Sequence, residues 1–110
     1  MKLTVTVKEE DIRDLTREIF ENMPEYSQHS VLVCVGWSYK NFEFVFHDTD
    51  KGNEYNLHFP AALRAVKRYL RERVTEGTHC VGELLDPCNY DADCLDIIVQ
   101  YALLGEQVYG

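Results

Sequence analysis

The stretch VLVCVGWSYKNFEFVFHDTDKGNEYNLHF, Val31–Phe59, decides the fold. It divides into three strands, Val31–Ser38, Phe42–His47 and Glu54–Phe59, joined by short turns. In the second, Phe42, Phe44 and Phe46 alternate with Glu43, Val45 and His47. In the third, Tyr55, Leu57 and Phe59 alternate with Glu54, Asn56 and His58. A period of two with one apolar set marks a half-buried strand. Asp48–Asn53 holds turn formers, and Gly52 can take a positive φ. A turn centred on Asp50 and Lys51 sets Phe46 against Tyr55, Phe44 against Leu57 and Phe42 against Phe59. On the opposite face His47 then meets Glu54, Val45 meets Asn56 and Glu43 meets His58. A turn through Ser38–Asn41 places Val31, Val33, Val35 and Trp37 on the aromatic face. Leu32, Cys34, Gly36 and Ser38 are expected on the other.

Working outward, Leu3, Val5 and Val7 alternate with Thr4 and Thr6. This reads as a first strand and not as a signal peptide. A helix is predicted from Glu9 to Asn22, with Ile12, Leu15, Ile19 and Met23 as its apolar stripe. Pro24 ends it, and Glu25–Ser30 is a polar loop. Pro60 opens a second helix to Thr75, where its missing N–H costs nothing. Leu63, Val66, Leu70 and Val74 point inward there, and Gly77 is the stop. The outer face of this helix carries Arg64, Lys67, Arg68, Arg71 and Arg73, five of the chain's 11 cations. That face meets either an outside anion or the chain's own acidic stretch, Glu76–Asp96. Thr78–Tyr90 reads as irregular, with Gly82, Pro87 and Asn89 as breakers. A third helix runs from Asp91 or Asp93 to Gly105.

The order is strand, helix, three-stranded meander, helix, helix. One α+β domain over residues 1–110 follows, a two-layer sandwich with an antiparallel-rich sheet and helices on one face. Its helix–three strands–helix portion resembles the topology of a double-stranded-RNA-binding domain. No basic loop for phosphates accompanies that topology.

Lys and Arg total 11 against 19 Asp and Glu, for a net charge of -8. A general nucleic-acid or anionic-membrane binder needs clustered cations, so this balance speaks against both. No apolar run approaches the ~20 residues of a membrane span. The four cysteines, Cys34, Cys80, Cys88 and Cys94, read as reduced thiols of a cytoplasmic protein.

The segment His79–Cys94 collects the residue types that bind ligands: His79, Cys80, Cys88, Asp91 and Asp93. Thiolate and imidazole suit zinc, but no close cysteine pair is present, so no metal is assigned. A calcium loop starting at Asn89 puts Cys94 where glycine is needed and Gln100 where a bidentate Glu is needed. Asp91 or Asp93 is therefore read as a helix cap. No nucleophile elbow, phosphate loop or dinucleotide fingerprint appears, and no catalytic residue or cofactor is assigned. In the third helix Ile97, Tyr101 and Leu104 fall off the stripe set by Leu95, Ile98, Val99 and Ala102. With Tyr109 of the tail they are the expected contact of a homodimer, and the open sheet face comes second. The expectation is a small binding module acting through protein–protein contacts. The alternative is a small enzyme, or a ligand- or metal-binding protein, built on His79–Cys94.

Overall fold

The computed structural model describes residues 7–76 and 81–110. Three strands, β1 (Leu32–Ser38), β2 (Glu43–Asp48) and β3 (Glu54–His58), form an antiparallel sheet in the order β1-β2-β3. Among the described residues five helices accompany it: α1 (Glu9–Phe20), α2 (Met23–Tyr26), α3 (Phe59–Glu76), α4 (Val81–Leu84) and α5 (Ala92–Leu104). The fold is α+β, with helices packed against the sheet. Phe44, Phe46 and Leu57 of the sheet are buried against Ile19, Val66 and Ile98 of the three long helices. Burying an aliphatic or aromatic side chain contributes about 1.5–3 kcal/mol, so this layer supplies most of the driving force.

The β2–β3 register is the one the alternation predicts. Phe46 pairs with Tyr55, Phe44 with Leu57, His47 with Glu54, Val45 with Asn56 and Glu43 with His58. Gly52 takes φ 79° in the connecting turn. The Asp48 carboxylate accepts the N–H groups of Asp50 and Lys51, both at 2.9 Å, which closes that turn.

β1 departs from expectation. Leu32 and Cys34 are buried, whereas Val35 is 54% exposed. Pairing runs Cys34 to Phe46 and then Gly36 to Val45, so Val35 is an extra residue in a β-bulge. A bulge shifts alternation by one and exchanges the faces on either side of it. Counting back from Trp37, which does pair with Phe44, therefore assigns Val33 and Leu32 to the wrong sides. Phe42 is a second departure, because it lies in the β1–β2 turn with φ 50°. Its ring still reaches the core, 5.0 Å from Phe44 and 5.1 Å from Phe59.

The helices hold further corrections. Pro24 does not lead into a loop: it sits in the first turn of α2, where a missing N–H is tolerated. A 3₁₀ turn, Ser27–His29, then leads to β1, and the Ser27 hydroxyl accepts the Cys34 N–H at 2.9 Å. Val74 is 49% exposed, on the rim of a groove between α1 and α3. The segment read as irregular contains α4 and a 3₁₀ turn at Pro87–Asn89. The predicted strand at Leu3–Val7 and the stop at Gly77 lie outside the described residues, apart from Val7, which is not in a strand.

Candidate functional site

The residues singled out in His79–Cys94 do not form one site among those described; His79 and Cys80 lie outside them. Cys88 is exposed, and its N–H donates to the Asp86 carboxylate at 2.9 Å. That same carboxylate pushes the Cys88 thiol above its ordinary value, the reverse of what a nucleophile needs. Cys94 is half-buried, and burial raises its thiol too. Asp91 caps α5 by accepting the Cys94 N–H at 2.9 Å, and this bond holds its carboxyl below the usual range. Asp93 is exposed in the first turn of α5, where the helix dipole favours an anion. Among the described residues no three His, Cys, Asp or Glu side chains converge as metal ligands.

The residues expected at a dimer contact are engaged by their own chain. Ile97 and Leu104 pack on the core. The Tyr101 hydroxyl donates to Glu72 at 2.6 Å, and the Arg68 guanidinium lies 4.0 Å from its ring centroid. Tyr109 is held at three points. Its N–H donates to Gln100 Oε1 at 2.7 Å, its carbonyl accepts from Gln100 Nε2 at 3.0 Å, and its hydroxyl donates to Asp48 at 2.8 Å. The apolar excess of α5 is therefore used inside the monomer, where α5 lies along α3. Two of the α3 cations also find internal partners, neither of them in the acidic stretch Glu76–Asp96. Lys67 pairs with Glu9 at 2.7 Å and Arg68 with Glu72 at 3.1 Å.

What remains uncovered is the outer face of the sheet. Register places three rows across it: Val33–His47–Glu54, Gly36–Val45–Asn56 and Ser38–Glu43–His58. A Cβ on Gly36 would sit 3.8 Å from the Val45 Cβ, so the two backbones share this side. Glu43, His47, Glu54, Asn56 and His58 are all exposed, and no described element covers them. Val45 alone lies at the centre of these rows, and Val33 sits at one corner, on the edge strand and in the row of His47 and Glu54. The surface thus has an apolar middle and a charged rim. The alternation gives this rim complete but misplaces Leu32, Val33 and Cys34, because a bulge leaves no signal in the alternation of its own strand.

A second concavity, of about 330 Å³, opens at the β1–β2 turn between Arg17, Tyr39, Lys40 and Phe59. The Arg17 guanidinium stacks 4.5 Å from the Phe59 centroid, and the Tyr39 hydroxyl donates to the Glu21 carbonyl at 2.7 Å. The Arg17 guanidinium and the Tyr39 hydroxyl are thus already used. No protein family, curated protein or solved structure matches this chain.

Proposed function

We propose that this chain is a small cytosolic protein-interaction module that works by contact and not by catalysis, and that it associates with a second copy of itself. The open outer face of the sheet carries this reading. An apolar centre inside a polar rim is the anatomy of a protein–protein contact. Cys34, Cys88 and Cys94 are unpaired, which suits a reducing compartment. Burial pushes the Cys34 thiol up to about 11, so it is inert at neutral pH.

Sedimentation equilibrium from micromolar to millimolar protein tests the reading. The expected result is a mass that rises from one chain to two across that range. A single-chain mass throughout overturns it.

A further inference from the structure

The charges on the open face have a symmetry of their own. On β2, Glu43 and His47 stand two residues to either side of Val45. On β3, His58 and Glu54 stand two residues to either side of Asn56. A two-fold axis lying in the contact plane and crossing the strands through Gly36, Val45 and Asn56 exchanges both pairs of positions. Each exchange sets an acid over an imidazole. An axis parallel to the strands along β2 would instead set Glu43 over Glu43 and His47 over His47. Charge therefore discriminates between the two ways of stacking this face on itself.

We propose that two copies pack face to face about the crossing axis, so that His47 meets the partner's Glu43 and Glu54 meets the partner's His58. This rests on the self-association reading above and specifies its geometry. Two-fold repetition makes four such contacts around a centre of Val45 on Val45. An imidazole donates an N–H to a carboxylate in either protonation state. Asn56 faces its own copy, and an amide is both donor and acceptor, so that contact is satisfied as well. Gly36 lets the two sheets approach along the axis. Three strands spaced ~5 Å apart, about six residues long at ~3.4 Å each, make a face of roughly 15 by 20 Å. Such a face buries only roughly 600 Å² over both copies, below the size of a standard specific interface and in the range of a transient contact. The dimer is accordingly weak, with a dissociation constant on the order of micromolar or above.

The test is a charge exchange read by sedimentation. His47→Glu places a new carboxylate over the partner's Glu43 twice. Glu43→Lys removes the acceptor for His47 twice. Each variant alone should associate at least about tenfold more weakly than the original chain. An equimolar mixture of the two sets the introduced carboxylate over the introduced ammonium and leaves one His47–Glu43 contact intact. Association of the mixture should return to within about threefold of the original. Val45→Glu, which sets two carboxylates on the axis, should abolish the dimer, while Glu25→Lys on α2 should not change it. Thermal melts of each variant at low concentration check that the monomer still folds. A dimer that persists in Val45→Glu, or a mixture no better than its components, overturns this arrangement while self-association stands. No dimer in the original chain overturns both.

Discussion

Phe42 is the residue whose environment conflicts most with its type. It is the one non-glycine with positive φ among the described residues, at 50°. The left-handed region costs a non-glycine residue about 1–2 kcal/mol. The ring offsets this, since it lies within 5.3 Å of Phe20, Phe44 and Phe59 by centroid. Aromatic pairs of that kind contribute ~0.5–1.5 kcal/mol each beyond area burial. The two effects separate by substitution. Phe42→Ala loses the ring and keeps the strain, while Phe42→Gly loses the ring and relieves it. Both should destabilise, and the glycine variant should be the more stable by about 1 kcal/mol in denaturant melts. Ala above Gly, the usual order, would mean the turn relaxes out of the left-handed region in solution.

Among the elements, β1 is the informative one, because its bulge decides which residues reach the core. Without Val35 the pairs Cys34–Phe46 and Gly36–Val45 would be consecutive in a regular ladder. Deleting Val35 should therefore leave every other pairing intact and change stability by no more than about 1 kcal/mol. Deleting Val45 from β2 is the contrast. The central strand has no extra residue to give up, so Phe44 or Phe46 must leave the core. Losing a buried phenylalanine costs about 3–5 kcal/mol. Comparable melts for the two deletions would place the irregularity elsewhere. α5 behaves as its ends predict: Asp91 caps the start, and Gly105 takes φ 78° after the last turn. Its outward-reading Tyr101 and Leu104 are covered because α3 lies alongside, a neighbour that periodicity cannot reveal.

At the scale of the whole molecule, the tail is clasped to the sheet through two buried polar side chains. Gln100 is 0% exposed and Asp48 is 1% exposed. Gln100 holds the backbone of Val108 and Tyr109, and Asp48 holds the Tyr109 hydroxyl. The Lys51 N–H foremost, with the Tyr109 hydroxyl and the Asp50 N–H, holds the Asp48 carboxyl below the usual range against the opposing effect of burial. The same carboxylate pushes the Tyr109 hydroxyl up to about 12. A depressed acid stabilises above its unfolded pKa, and this contribution is lost as pH falls through the folded value. A raised phenol stabilises fully below its unfolded value of ~10, and this contribution is lost as pH rises through about 12. The clasp should thus hold through neutral pH and loosen at both extremes. In Tyr109→Phe, carboxyl NMR should find Asp48 titrating at higher pH, with faster amide exchange at Val108 and Tyr109. Unchanged titration and exchange would mean that the hydroxyl does not reach Asp48 in solution.

Alternation along β2 and β3 was enough to set their register, because a period of two assigns each side chain a face. The same alternation displayed the four rim charges of the open face. Pro60 and Gly105 marked helix ends through backbone chemistry carried by single residues, and Asp91, one of two candidate caps, is the one that caps α5. The bulge at Val35 could not be read this way, because an inserted residue shows only against its partner strand. Nor could the clasp, in which Asp48 and Tyr109 are 61 residues apart and meet only when α5 carries the tail back to the sheet. The dispersal of Cys88, Asp91 and Asp93 into separate local roles was tertiary for the same reason. Closeness in sequence supplies candidate ligands, but packing decides whether their side chains share a space.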